Sequence, residues 1–307
     1  MKKNSSKPYV SVWMVAYNQQ EFIEKAINSV LMQKTDFSVK LFIGEDFSTD
    51  LTAEICKNKK RLYPNQIELF SRTTNIGAYV NAEEIYYECL NSNSKYTALL
   101  EGDDYWSDPT KLQKQVDFLE DNLDYNACVH NSDILKNGKI KKKEWRWDSK
   151  RTTFTSIDYI YSLFFHTSSL MFRTKEINKF SLDPNILQGD MNLALSVINN
   201  KKVFFINQSM SVYRQHSGGI TNTSKHKIKV NKYESIIIII EKFNTLTKYQ
   251  FRFPVWIKKQ ILKSLIFLFD ETKAGKINFF VKTKYYFFKT LLLAYVKIKS
   301  AIIKFYV

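Results

Sequence analysis

The chain has 307 residues, enough for one large domain or a domain with an appendage, and ample for a buried core. With 44% hydrophobic and 15% aromatic residues against 25% charged, it is too apolar to be generically disordered. The net charge of +16 invites a polyanion or an anionic membrane, but residues 1–224 hold 28 basic and 26 acidic side chains, whereas residues 225–307 hold 18 and 4.

In chain order, the basic N-terminal residues and VSVWMVAY have the outline of a signal peptide. Asn18 and Gln19 cut that apolar run and no small-residue cleavage site follows, so YVSVWMVAY reads as a first strand. A helix from about Glu21 to Gln33 would carry Phe22, Ile23, Ala26, Ile27 and Val30 on one face. KLFIGED is a second strand, and Thr49 or Asp50 caps a helix running through Cys56. IELFSR and YTALLE are further strands, separated by the helix NAEEIYYECL. In SDPTKLQKQVDFLEDN, Ser107 or Asp108 is the expected N-cap, with Pro109 in the first helical position. This alternation predicts an α/β fold with a mostly parallel central sheet.

Residues 136–153, basic and tryptophan-containing, read as an exposed hairpin or mobile loop. LFFHTSSLMFR and KKVFFIN read as strands flanking a helix that opens near Asp190. Beyond about residue 224 glycine almost vanishes, and apolar runs such as SIIIII and SLIFLF are punctuated by lysines. The expected division is therefore 1–224 and a helical extension, 225–307. Lysines recur too often there for the ~20 apolar residues that span a bilayer, so no transmembrane helix is predicted. Cys56, Cys89 and Cys128 are widely spaced with no C-x-x-C pair, which suggests neither a disulfide framework nor a zinc site, and a reducing cytosol as compartment.

In open α/β sheets ligands bind outside the carboxyl ends of the strands. Three of the four early strands end in polar groups there: Tyr17-Asn18, Glu45-Asp46 and Glu101-Gly102-Asp103-Asp104. Adjacent carboxylates need a cation or hydrogen-bond donors to offset their repulsion, and hard oxygen ligands suit Mg²⁺ or Mn²⁺ carrying a diphosphate. Neither G-x-G-x-x-G nor G-x-x-x-x-G-K-[ST] is present, so a metal would take the phosphate-binding role.

Tyr17-Asn18, GEDFSTD (44–50), Asn75-x-Gly77, LLEGDDYWSDPTKLQKQ (99–115), TSSLMFR (167–173), QGDMNL (188–193) and YRQH (213–216) resemble, in order and spacing, the inverting family 2 glycosyltransferases of the GT-A fold. The resemblance covers about residues 8–220 and none of 225–307. It implies a donor half at about 8–130 and an acceptor half at 131–224. It implies that Asp46 bonds the donor nucleobase, that Tyr17 lies beside the base, and that Asn18, Asn75, Glu101 and Asp103 belong to the donor site. Asp103, Asp104 and His216 would hold Mn²⁺ or Mg²⁺, and Asp190 would be the general base that accepts the acceptor hydroxyl's proton during a single inverting displacement. Phe47 departs from the common glycine of the first acidic motif, Glu101 from the first aspartate of the second, and Gly189 from the glutamate that often precedes the base. The Q-x-x-R-W motif of processive members is absent, which favours addition of one sugar per encounter, most naturally from a UDP-sugar.

Taken alone, Asp46 reads equally as a helix-initiating acid or a ligand, Asp190 reads as an N-cap ahead of a functional acid, and Asp108 before Pro109 reads as a cap. His130 and His166 read as structural histidines, while Trp145 and Trp147 read as loop packing or as sugar-stacking rings. At about 100° per residue, Lys282, Lys289, Lys297 and Lys304 share one narrow arc of a helix. Phe287, Leu291, Tyr295, Ile298, Ile302 and Phe305 lie opposite. Such a helix packs on the catalytic part, or lies on an anionic inner leaflet where lipid-linked acceptors are found, which makes the enzyme peripheral to the membrane on its cytoplasmic face. The alternatives are a protein or soluble acceptor, or an inactive sugar-nucleotide or glycan-binding module. Nucleic acid is disfavoured, because the basic segment is interleaved with aliphatic runs and the front is almost neutral.

Overall fold

A computed structural model describes residues 7–176, 189–199, 201–216, 218–219, 226–273 and 279–305. The described elements fall into two compact units. The first holds all of the strands. It begins with β1 (Val10–Ala16), α1 (Ile23–Leu31), β2 (Val39–Glu45), α2 (Thr52–Leu62), β3 (Ile67–Ser71), α3 (Ala78–Asn91) and β4 (Tyr96–Leu99). Both faces of β1 are buried, with Val10, Val12 and Met14 on one side and Ser11 and Trp13 on the other, so its sequence reads as a continuous apolar run rather than an alternation. The face predicted for α1 is the one that packs: Ile23, Ala26, Ile27 and Val30 are buried.

After β4 come β5 (Tyr105–Trp106), α4 (Lys111–Asp121), β6 (Tyr125–Lys136), β7 (Lys139–Lys141), β8 (Thr153–Phe154), β9 (Met171–Arg173) and β10 (Lys202–Gln215). The sheet runs β3-β2-β1-β4-β9-β6-β10-β5, with β7 on β6 and β8 on β10. β2 and β4 flank β1 in parallel, and β10 is parallel to β6. β9 is antiparallel to both β4 and β6, so β6 points the same way as β4. The carboxyl ends of β1, β2, β4, β6 and β10 therefore open on one side of the sheet.

Three expectations are corrected. The twelve-residue β6 is absent from the sequence reading, because its Asn126, His130, Asn131, Ser132 and Asp133 look like a loop yet are all buried. Of LFFHTSSLMFR only Met171–Arg173 is strand, and Thr167–Ser169 is a 3₁₀ turn. There Ser169 Oγ donates to the His166 carbonyl at 2.7 Å, a local bond that competes with the sheet. The helix expected to open at Pro109 begins at Lys111, since Asp108 Oδ1 accepts from Thr110 N and Oγ1, both at 2.7 Å, and closes a turn ahead of it.

The second unit is helical: α5 (Ser156–Tyr161), α6 (Gly189–Ile198), α7 (His226–Leu246), α8 (Arg252–Lys273) and α9 (Phe279–Phe305). A capping box starts α5, where Thr155 N donates to Asp158 Oδ2 at 2.8 Å. At its other end Lys258 Nζ of α8 donates to the Tyr161 carbonyl at 2.8 Å, a cation on the negative end of a helix. Burial, with Lys289 nearby, pushes the Lys258 ammonium down to about 8. The core of this unit includes Ile239, Ile240 and Phe243 of α7, Val255, Ile257 and Ile261 of α8, and Leu292 and Val296 of α9. Of the apolar face expected for α9, Phe287 and Ile298 are each 61% exposed, and the helix packs through the stripe containing Leu292 and Val296. Ile302, Lys304 and Phe305 carry side chains outside the described set.

Candidate active site

The site is built on the strand ends of the first unit. After β1, Tyr17 is 46% exposed, and Asn18 adopts a left-handed φ of 51°. Its amide stitches this turn to the next, Oδ1 accepting from Thr49 N at 2.9 Å while its backbone N–H donates to Ser48 Oγ at 3.0 Å. After β2, Glu45 Oε1 accepts from Ser48 N at 2.8 Å. Phe47 stands in the left-handed region at φ 59°, where the family's common glycine would sit without strain.

Asp46 is buried, and both of its oxygens are engaged: Oδ1 accepts from Ile76 N at 2.8 Å and Oδ2 from Gly77 N at 3.0 Å. Asn75 returns Nδ2 to the Asp46 carbonyl at 3.0 Å and accepts from Gly77 N at 3.1 Å. Asp46 and Asn75 thus meet, as two halves of the clamp that sets the turn before α3.

The turn after β4 differs. Gly102 lies so close to β1 and α1 that a Cβ there would come within 2.3 Å of Gln19 Oε1 and 2.9 Å of Ile23 Cδ1. The carboxyls behind it are received by β10. Asp104, 1% exposed, accepts the Arg214 backbone N–H at Oδ1, 2.8 Å, and Arg214 Nη1 donates to the Asp103 carbonyl at 2.5 Å. The Arg214 guanidinium lies 4.6 Å from the ring centre of Tyr105 and 5.1 Å from that of Phe22. His216 Nε2 is 3.1 Å from Asp103 Oδ2, its ring 4.7 Å from Phe22.

Asp104 Oδ2 is buried with no hydrogen-bond partner, 3.6 Å from His166 Nδ1. Ligand atoms of Glu101, Asp104 and His166 all lie within 4.8 Å of one another. Burial first, then the charges of Asp103 and Glu101, hold the Asp104 carboxyl well above its ordinary range. Burial pushes His166 down to about 3, so it is neutral, and it stacks on Tyr213 with ring centres 4.3 Å apart. A neutral imidazole and two hard carboxylates, one with an orphaned oxygen, are a donor set that fits Mn²⁺ or Mg²⁺.

Among the residues expected to act together, Glu101, Asp103, Asp104 and His216 converge, while Asp46 and Asn75 share a separate turn. His166 and Arg214 carried no assigned function in the sequence; TSSLMFR and YRQH were the signals that contained them. Asp190 belongs to the second unit, in the first turn of α6, with its side chain exposed. The protein around it still disfavours ionisation and raises its carboxyl, against the Met191 N–H and the Lys232 charge.

The sheet with its strand-end acids is the GT-A architecture. S. aureus TarS, solved with UDP-GlcNAc, superposes with a TM-score of 0.62 at 15% identity, over 94% of this chain and 81% of that one. The mannosyltransferase PcManGT from Pyrobaculum calidifontis, solved with GDP-Man and Mn²⁺, gives 0.57 at 12% identity, over 97% and 86%. Residues 11–179 match the profile of glycosyl transferase family 2, and the chain belongs to that family. A relative in Mycobacterium tuberculosis, the uncharacterized protein Rv1520, is 30% identical over 221 residues, which are 70% of this chain and 61% of the relative. The match thus spans about three-fifths of that relative's length.

Proposed function

We propose that the protein is a metal-dependent glycosyltransferase that moves one sugar, with inversion, from a nucleotide diphosphate sugar to a glycan hydroxyl. The observation that carries this reading is the orphaned, buried oxygen of Asp104 beside Glu101 and His166 at the end of β4. A carboxylate in that state calls for a proton or a cation, and the neighbouring Glu101 and His166 supply the further donors a cation needs. Glu101, Asp104 and His166 would hold Mn²⁺ or Mg²⁺, with the Asp103–His216 pair next to them, and the ion would supply countercharge for the departing diphosphate. Tyr17, exposed at the mouth of the β1 turn, faces the donor base, and Asp46 with Asn75 fixes the neighbouring turn. Asp190 is the general base: its carboxyl is exposed and held above its ordinary range, and it is suited to accept the acceptor's proton.

TarS with UDP-GlcNAc supports a UDP-sugar, and PcManGT with GDP-Man and Mn²⁺ supports the metal. The acceptor is a surface glycan, lipid-linked, met where the basic helical unit lies on an anionic membrane. No described helix is long and apolar enough to cross one. In the same unit Trp256 and Phe253 are 47% and 46% exposed, the kind of ring found at membrane interfaces.

The test is a panel of nucleotide sugars with and without Mn²⁺, scored by nucleotide diphosphate release. One donor is expected to be turned over only with metal. Asp190→Asn is expected to retain donor binding and lose transfer by about 10²–10⁴-fold; near-normal turnover in that variant removes Asp190 from the mechanism.

A further inference from the structure

The carboxyl ends of β6 and β10 lie together, and the register pair Gln215↔Lys136 puts the last residue of β6 one position before His216. From there the chain turns through Asn137 and Gly138, both at positive φ (50° and 72°), into β7. This is the tight two-residue turn favoured in hairpins, so residues 136–141 form a defined ribbon beside the acidic cluster. Lys136, Lys139 and Lys141 are exposed on it, as are Lys142 and Lys143 directly after β7. Trp145 ties the returning strand down: Nε1 donates to the Ser132 carbonyl at 2.7 Å, its N–H donates to Asn131 Oδ1 at 3.1 Å, and its ring is 5.4 Å from His166. Lys143 Nζ rests 3.4 Å from the centre of that ring.

Of the ribbon's lysines Lys142 meets an acid, Asp133, and the other nearby carboxylate is already engaged. Asp133 is taken by Lys142 at 2.9 Å and by Ser209 Oγ at 2.6 Å, and Glu144 by Arg146 at 2.6 Å. Among the described residues no carboxylate is in ion-pair contact with Lys136, Lys139 or Lys141. Lys136 is moreover the direct cross-strand partner of Lys139. Like charges in that position destabilise a hairpin. Lysines on an outer strand also discourage edge-to-edge pairing, but that purpose is met by β7 alone and gives no reason for a lysine opposite on β6. An anion laid across the pair relieves the repulsion.

We propose that the 136–143 ribbon docks an acceptor glycan carrying repeated negative charges, phosphodiesters or carboxylates, and leads it to the acidic cluster. The proposal rests on the transferase reading for the word acceptor, and on the ribbon alone for the polyanion. Lysine is a point-charge binder that does not demand one anion geometry, so the shared chemistry of the ligand is its repeated charge.

The experiment uses the full chain with labelled poly(glycerol phosphate), polygalacturonate and neutral dextran, followed by fluorescence polarisation over a salt series. The chain is expected to bind one or both charged polymers and not dextran. Lys139→Glu combined with Lys141→Glu is expected to weaken that binding at least about tenfold and to make the log–log salt slope shallower by roughly two. Its melting temperature should equal or exceed that of the wild type, because repulsion at the Lys136–Lys139 pair becomes attraction. If the charge reversal lowers the melting temperature, Lys139→Gln with Lys141→Gln must still show a smaller loss in the same direction. The proposal is overturned by unchanged polymer affinity in either pair, or by an equal loss on reversing Lys284 and Lys289 of α9. It is also overturned if the ribbon pair loses sedimentation with phosphatidylglycerol vesicles while keeping polymer binding. Nucleotide diphosphate release by the wild-type chain reads the transferase assignment separately: failure there with the ribbon effect intact removes the transferase and leaves the polyanion site.

Discussion

Two acid-rich turns follow parallel strands in the same half of the sheet, and they use their carboxylates in opposite ways. After β2, Glu45 accepts from Ser48, Asp46 from Ile76 and Gly77, and Asp50 from Gln20 and Thr52, all backbone N–H groups. After β4, Asp104 gives one oxygen to Arg214 N–H and leaves the other, buried, without a donor. A carboxylate satisfied by backbone is occupied in shaping its loop. One that is buried, short of donors and next to other acids needs a proton or a cation to be comfortable. The contrast separates acids that fold the site from acids that await a ligand, although in sequence both turns are simply acids after a strand.

The strongest way to break this contrast is Asp104→Asn. Transfer is expected to fall by about 10²–10³-fold, while the metal-free protein melts no lower, because a buried charge has been removed. The pH dependence follows from the sign of the shift. An acid whose folded value is raised above its ordinary 3.8 favours folding below that value, and this contribution is lost as pH rises through the folded value. Mn²⁺ needs the ionised form and compensates its cost, so the gain in melting temperature from Mn²⁺ should grow with pH in the wild type. In Asp104→Asn that gain should largely disappear. An equal gain in the variant would show that the orphaned oxygen is not a ligand.

Asp46→Ala probes the other turn. It leaves the Ile76 and Gly77 N–H groups without their charged acceptor, and a loss of about 2–3 kcal/mol in urea unfolding is expected. The response to Mn²⁺ should persist, since nothing at the β4 turn is touched. Unchanged stability with a collapsed donor affinity would make Asp46 a direct donor contact, and the two turns would then differ less than their hydrogen bonds suggest.

The strand-end arrangement was legible in the sequence because it depends on apolar runs ending in polar groups, Tyr17-Asn18 after the first and acids after KLFIG and YTALL. The division of labour among those acids was not, since it depends on which N–H groups the fold delivers to them: Ile76 and Gly77 arrive 30 and 31 residues later at Asp46, and Arg214 arrives 110 residues later at Asp104. His166 was hidden for the same reason, reading as one histidine in an apolar stretch until β10 and the 3₁₀ turn set it beside Asp104. β6 escaped because periodicity rewards apolar side chains, whereas its Ser132 and Asp133 are buried through Ser211 and Ser209 of β10. On α9 the period was legible but not the packed arc, because contact with α8 chooses which arc is covered.

Lys111 offers the gentlest test of whether an orphaned polar atom by itself marks a site. It is fully buried on α4, with Nζ 3.9 Å from the Trp106 ring centre and no hydrogen-bond partner. Gln115 Oε1 and His130 Nε2 are unsatisfied as well, yet among the described residues no carboxylate cluster surrounds them. Burial lowers the Lys111 ammonium well below its ordinary 10.5. A base depressed in the folded state costs stability at neutral pH, and the cost fades as pH rises from the lowered value toward 10.5. Lys111→Met keeps a flexible stem and places a sulfur near the indole. It is expected to stabilise the protein by about 1–2 kcal/mol at neutral pH, by less in alkaline buffer, and to leave Mn²⁺-dependent transfer at the wild-type level. A stabilised variant with normal transfer would show that lack of a partner matters at Asp104 only because Glu101 and His166 stand beside it. A loss of transfer would extend the ligand-awaiting chemistry into the core behind β5, and the contrast between the two turns would have to be redrawn around Trp106.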